Sequence, residues 1–305
     1  MWYFIWRRIR LIPVTLFLLM LVAFISLRMT GDPVEIYLGI DSTPEQVQIL
    51  TEKLHLDKPI PMQFLYFLGE ILRGDFGESL RFGGPVMPII TEKLSATMEL
   101  IGWAIGIAVV LGMLLGIVCA LYKDRFTDFF ISIVAIAAQS MPSFWLGILL
   151  IQIFSLNLGW LPTSGMGGIK HLIMPAVTLA MFLMPNFIML TRTSFLETMR
   201  EQYVITARAK GMSEARILFR HVLPNAISPV ITYLGLQMGR LVGGSVITET
   251  IFAWPGVGRL MISSIFQRDV PVVIASVFIV CIAITLCNLL VDIINSLLDP
   301  RIRLD

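Results

Sequence analysis

The sequence predicts an all-α polytopic membrane protein with six transmembrane helices and both termini cytoplasmic. Three observations carry that prediction. Hydrophobic residues are 56% of the 305 and charged residues 14%, where a soluble chain carries about 25% charged residues. The apolar residues gather in runs of about 20, the length a bilayer-crossing helix needs. Lys and Arg divide unequally between the two sets of run ends, which sets orientation. The same composition excludes a disordered, collagen-like or disulfide-stapled chain. The runs are too long and too continuously apolar for strands, and they lack the alternation over about 10 residues that marks an outer-membrane barrel. A net charge of +2, with no basic stripe, speaks against nucleic acid as a partner.

The six runs are roughly Leu11–Leu27, Met98–Tyr122, Phe129–Phe154, Leu172–Leu190, Ala226–Thr248 and Val272–Val291. The first follows Arg7, Arg8 and Arg10, as a secretory or twin-arginine signal would. Arg28, Met29, Thr30, Gly31 and Asp32 come next, with no small-residue cleavage site, so the run reads as a retained anchor. Trp2, Tyr3 and Trp6 suit an interfacial aromatic belt. Gly102/Gly106 and Gly112/Gly116 in the second run, and Gly235/Gly239 and Gly239/Gly243 in the fifth, have the GxxxG spacing that permits close helix approach. Pro142, Pro175, Pro185 and Pro229 remove backbone donors in or near the runs. Ordinary packing of a bundle explains both features; a path that must move would use them too.

Arg7, Arg8, Arg10, Lys123, Arg125, Arg192, Arg200, Arg208, Lys210, Arg216, Arg220, Arg301 and Arg303 fall at one set of ends, against Lys170, Arg259 and Arg268 in the short loops opposite. The richer side is cytoplasmic. The chain therefore divides into 1–28, the cytoplasmic N-terminus and first helix; 29–97, an extracytoplasmic insert; 98–298, a five-helix core with a cytoplasmic loop at 191–225; and 299–305, a cytoplasmic tail.

In the insert, Thr43-Pro44-Glu45-Gln46 reads as a helix start running to about Leu54. Pro59 and Pro61 interrupt the chain, and Met62–Leu72 carries an apolar stripe suited to the bundle or membrane surface. Gly74-Asp75 and Gly83-Gly84-Pro85 are turn signals. In the cytoplasmic loop, Glu197–Lys210 reads as a helix and Gly211 as a turn at positive φ. A second helix starts with Ser213 as its cap and ends at Leu223-Pro224. Helix, turn and helix make a rigid knob able to receive a push; the alternative is a basic loop that only enforces topology. Cys119, Cys281 and Cys287 lie in apolar runs as small buried side chains. His55, His171 and His221 are scattered, so no structural metal site is supported.

Thr206-Ala207-Arg208-Ala209-Lys210-Gly211, followed by Phe219 and Leu223-Pro224, resembles the EAA loop of ABC-importer permeases. Ile205 and Thr206 stand where that family's Glu-Ala stands, and His221 replaces an apolar residue, a pattern similar to the dipeptide/oligopeptide/nickel branch. Gly31-Asp32-Pro33, Gly74-Asp75-Phe76-Gly77-Glu78-Ser79, Pro142-Ser143-Phe144-Trp145-Leu146, Leu158-Gly159-Trp160-Leu161-Pro162, Phe252-Ala253-Trp254-Pro255-Gly256-Val257-Gly258-Arg259 and Asp299-Pro300-Arg301-Ile302-Arg303 resemble the same branch in order and spacing. The long insert resembles that of its first, B-type permease subunit.

The resemblance implies the type I importer permease fold in the bacterial inner membrane and a paired second permease. It implies two cytoplasmic ATPases docked on a coupling helix, roughly Ala207–Arg220, and a binding protein delivering peptides over the insert. Nickel, glutathione or another small solute is the alternative cargo. No Gly-x-x-x-x-Gly-Lys-[Ser/Thr] is present, so this chain is not expected to be an enzyme. ATP and Mg belong to the partner ATPases, and no cofactor is expected here. Lipid surrounds the spans.

Ionisable residues at membrane depth default to function. Arg240, about 21 Å along the fifth run from Ala226 at 1.5 Å per residue, is the candidate for the translocation path, facing an anionic group of substrate or partner. Glu249 and Asp292, near opposite ends of their runs, read as facing interfacial water. An ion-coupled secondary transporter would need membrane acids or an ion site near mid-bilayer. A membrane scaffold would show no substrate-dependent ATPase. The helix-Gly-helix knob favours the importer over both.

Overall fold

The computed structural model describes residues 2–30, 34, 43–53, 55–79 and 81–298, with side chains outside the description at 2–9, 27–30, 46, 53, 238–240, 291–292 and 294–298. Gly31-Asp32-Pro33, the 299–305 tail and the Arg240 and Asp292 side chains therefore lie outside it. The described chain is helical, with one isolated bridge between Glu78 and Pro85. In order the helices are α1 Trp2–Thr30, α2 Pro44–Lys53, α3 Ile60–Leu72, α4 Val86–Leu121, α5 Phe126–Ser140, α6 Ser143–Leu150, α7 Ile169–Thr198, α8 Gln202–Ala209 and α9 Glu214–Ile217. Then come α10 Ser228–Ile251, α11 Val257–Phe266 and α12 Val270–Leu298.

Val86–Leu121, Ile169–Thr198 and Val270–Leu290 are long and apolar enough to cross a membrane unbroken. Two bent pairs, Phe126–Ser140 with Ser143–Asn157 and Glu214–Gln237 with Leu241–Ile251, bring the number to five, and Arg10–Ser26 is a shorter apolar helix.

The third run is not the single straight span that Phe129–Phe154 suggests. Its two halves meet at 105°. Met141 precedes a proline and is extended, with ψ 130, because the proline ring disfavours a helical residue before it. Pro142 then starts α6, which widens into a π-type turn over Ile151–Asn157. Pro175 and Pro185, by contrast, sit buried inside an unbroken α7. α4 starts at Val86, so it runs without a break across the 97/98 boundary drawn from sequence.

α4 and α7 form the central seam. A Cβ on Gly112 would stand 2.6 Å from the Phe187 Cβ, and one on Gly116 would stand 2.7 Å from the Ile188 carbonyl and the Thr191 Cβ. These glycines are what lets the two backbones approach. Gly102, Gly106 and Gly243 meet nothing within 4 Å, so of the two GxxxG pairs in the second run Gly112/Gly116 is the one that packs within the chain. The apolar stripe of α3 lies on the bundle: Phe64 and Ile71 are buried with Met20, Phe24 and Phe278, and the Phe64 ring stands edge-on to Phe17 and Phe24 at 5.6 and 5.4 Å.

Candidate functional site: a knob and a knot at opposite ends

The knob begins where α7 ends. α8 closes with Gly211 at φ +78. The Gly211 N–H donates to the Arg208 carbonyl at 3.0 Å and the Met212 N–H to the Ala207 carbonyl at 3.3 Å. This is the Schellman arrangement, which needs a left-handed residue at that position and so favours glycine. Met212 packs against the apolar cluster that contains Ala207, as the hydrophobic contact of the motif requires. Arg208 bridges the turn, its Nε and Nη2 donating to the two Glu214 carboxylate oxygens at 2.6 and 3.0 Å. That hydrogen bond holds the Glu214 carboxyl below its ordinary range, but both side chains are exposed, so the pair shapes the turn more than it stabilises it.

One side of the knob is anchored. Val204, Ala207, Ile217, Val222 and Ala226 are buried with Phe195 of α7 and Ala120 of α4, and the Ser194 hydroxyl donates to the Ala226 carbonyl at 3.0 Å. The rest of the segment is open: Tyr203, Ile205 and Phe219 are exposed, Phe219 by 68%, as are Arg208, Lys210, Arg216 and Arg220. Burial pushes the Tyr203 phenol up, and the Glu201 carboxylate acts in the same direction.

Of the residues singled out by sequence, Thr206, Arg208, Ala209, Lys210, Gly211, Phe219 and Pro224 are at the surface, Leu223 is half-buried and Ala207 is buried. Ala207–Arg220 is therefore not one helix but the end of α8, a turn, α9 and a π-type turn over Leu218–Val222. Two local expectations fail. Ser213 has the cap backbone and stands at the cap position but, exposed, makes no side-chain cap bond. Leu223-Pro224 does not end the helical path. Pro224 opens a new turn, Leu223–Ala226, at an early position where a missing N–H is tolerated.

Near the knob, Asp128 at the start of α5 is buried and receives Arg192 Nε and Nη2 at 2.8 and 2.6 Å. This clamp between α5 and α7 was hidden in the sequence, where Arg192 reads only as a topology charge.

The opposite end holds a knot. Glu249 does not face water; it is fully buried. Thr97 and Ser245 donate hydroxyls to its Oε1 at 2.7 and 3.2 Å, and the Arg259 N–H donates to Oε2 at 3.0 Å. The Val257 N–H donates to the Thr97 hydroxyl at 2.9 Å, and Trp254 Nε1 to the Ala96 carbonyl at 2.8 Å. One carboxylate thus joins α4, α10 and the first turn of α11, where the helix dipole favours negative charge. A Cβ on Gly256 would lie 2.3 Å from the Glu249 Cδ, and one on Gly258 would lie 2.9 Å from Oε2. The two glycines seven and nine residues beyond Glu249 are the trace of this site in the sequence.

A second buried acid pins the insert. The Ser79 hydroxyl donates to Asp269 Oδ2, the Arg81 N–H reaches the same oxygen at 3.3 Å, and the Phe82 N–H donates to the Ser79 hydroxyl at 2.9 Å.

Residues 112–304 match the family described as binding-protein-dependent transport system inner membrane component, and residues 1–101 match its N-terminal family. The glutathione transport system permease protein GsiC of Pectobacterium atrosepticum is 40% identical over 301 residues, 99% of this chain and 98% of that protein. Its counterpart in Escherichia coli strain K12 is 38% identical over 302 residues, with the same coverage. Among solved structures, an inward-facing methionine ABC transporter, MetNI, superposes with a TM-score of 0.60 at 17% identity, covering 72% of this chain and 100% of that one. An amino acid ABC transporter with histidines superposes with a TM-score of 0.55 at 18% identity, covering 68% and 94%. At such identities the structures speak for the fold alone.

Proposed function

The chain belongs to the family of binding-protein-dependent transport system inner membrane components, permeases of ABC importers, and from that premise we propose that it carries short peptides inward across the bacterial inner membrane. Glutathione, named as the cargo of its relatives, is itself a tripeptide, and near-full-length identity of 40% supports a cargo of that class. In this reading the knob faces the cytoplasm and the knot faces outward. A second permease completes the path, two ATPases holding ATP and Mg dock on the knob, and a binding protein delivers cargo over the 29–97 insert. This chain contributes no ATP chemistry, and Arg240 contacts an anionic group of cargo or partner.

One observation carries the docking assignment. The knob is anchored by one apolar side and leaves Tyr203, Ile205 and Phe219 and four cations exposed. A rigid projection of that make-up fits a partner groove.

The test is a complex reconstituted in proteoliposomes with both permeases, the ATPases and the binding protein. Gly211→Val forces a β-branched residue to φ +78. Binding-protein docking is expected to survive while stimulated ATP hydrolysis falls by an order of magnitude or more. Normal coupling would overturn the assignment. For the cargo, glutathione or other di- and tripeptides are expected to co-purify with the cognate binding protein and to enter the vesicles. Uptake of nickel with no peptide uptake would overturn that part alone.

A further inference from the structure

Between α1 and the α11–α12 corner lies an apolar crevice of about 450 Å³, within the range of roughly 300–1,000 Å³ typical of small-molecule sites. Its walls are two helix faces. On α1 the lining runs from Leu19 through Val22 and Ala23 to Ser26, and on α12 from Val270 through Val273 to Val277. Each set has the spacing of one helical face, so the crevice runs along both helices for about 10 Å at 1.5 Å per residue. Val22 and Ile265 are exposed, by 62% and 51%, so the crevice opens on the side of the bundle.

Its upper edge is cationic. Arg268 lines the crevice and is exposed, at φ +57 in the corner just before the Val270–Leu290 span. The corner is fixed by the Arg268 N–H to the Ile265 carbonyl at 3.1 Å and the Asp269 N–H to the Ser264 carbonyl at 2.8 Å. Among the described residues no carboxylate lies within ion-pair distance of Arg268; the adjacent Asp269 is buried and takes Ser79 and the Arg81 N–H. A second guanidinium stands close by, Arg81 Nε donating to the Gln267 carbonyl at 3.2 Å. Ser264, also in the lining, is fully buried, and its hydroxyl has no hydrogen-bond partner among the described residues.

An apolar slot of this length, open to the side of a membrane bundle and bordered at the span edge by the Arg268 guanidinium, complements one amphiphile. We propose that it binds an anionic phospholipid, with an acyl chain between α1 and α12 and the phosphate on Arg268. Guanidinium suits this role because its fork pairs with phosphate oxygens in a bidentate way, and basic pockets between membrane helices hold lipid headgroups.

The assembled complex, purified in mild detergent and exposed to equimolar phosphatidylglycerol and phosphatidylethanolamine, tests this by native mass spectrometry. Phosphatidylglycerol is expected to be retained about fivefold over phosphatidylethanolamine. Arg268→Gln should bring the ratio near one while both lipids still bind. Ala23→Trp, which fills the slot, should lower retention of both. A photo-crosslinking residue at Val22 should capture phospholipid. An unchanged ratio in Arg268→Gln would overturn the proposal. So would capture of the second permease subunit at Val22, since a protein helix would then fill the slot. Should Ala23→Trp fail to assemble, the Arg268→Gln ratio decides alone.

Discussion

The knob at residues 199–226 and the knot around Glu249 both fasten short segments to the long helices, by opposite physical means. The knob is held through Val204, Ile217 and Val222 against Phe195, contacts that have no direction and survive small rotations. The knot is held by donors aimed at one fully buried carboxylate, contacts that tolerate little displacement. Apolar anchoring suits a part that must shift as a body; directional hydrogen bonding suits a part that must keep its shape. The hydrogen-bonded end should therefore be the more brittle of the two.

Glu249→Ala tests that contrast most severely. It strands the Thr97 hydroxyl and the Arg259 N–H, while the Ser245 hydroxyl keeps the Val242 carbonyl at 3.0 Å, and one buried unsatisfied group already costs about 1–3 kcal/mol. The assembled complex is expected to lose on the order of 3 kcal/mol or more, read as a large fall in its thermal midpoint. A near-native midpoint would break the comparison. Gly256→Ala sharpens it. The new methyl meets the Glu249 carboxyl, and overpacking of this kind costs about 1–3 kcal/mol; a smaller loss than for Glu249→Ala, with transport impaired, is the expected pattern. At the knob, Ile217→Val removes one buried methylene and should cost about 1 kcal/mol with ATPase coupling retained. If it uncouples, the knob is not the tolerant end. Smallest is Glu214→Gln, which weakens an exposed pair with Arg208. Stability should be unchanged, with only faster amide exchange at 211–213.

The knob was readable in advance because its determinants are local. Gly211 turns the chain within four residues of the bonds it serves, and breakers bound the segment on both sides. Its limits were blurred for the same reason: Ser213 and Pro224 are local signals, but the first makes no cap bond and the helical path runs on through the second. The knot was unreadable because Thr97 and Glu249 meet across 152 residues, and an acid near the end of an apolar run has no local mark that separates water from a buried partner. The bend in the third run fell between these cases. Pro142 announces a lost donor, but the 105° turn depends on what the following helix packs against.

The helix Val86–Leu121, at 36 residues, is longer than the roughly 20 residues a bilayer crossing needs. Thr97 in the knot and Ala120 in the knob's core stand on it, about 35 Å apart at 1.5 Å per residue, with no break between them. Gly112 and Gly116, where its backbone is pressed against α7, lie between those two points. One unbroken rod therefore carries part of both sites, with its closest backbone approach to α7 lying between them.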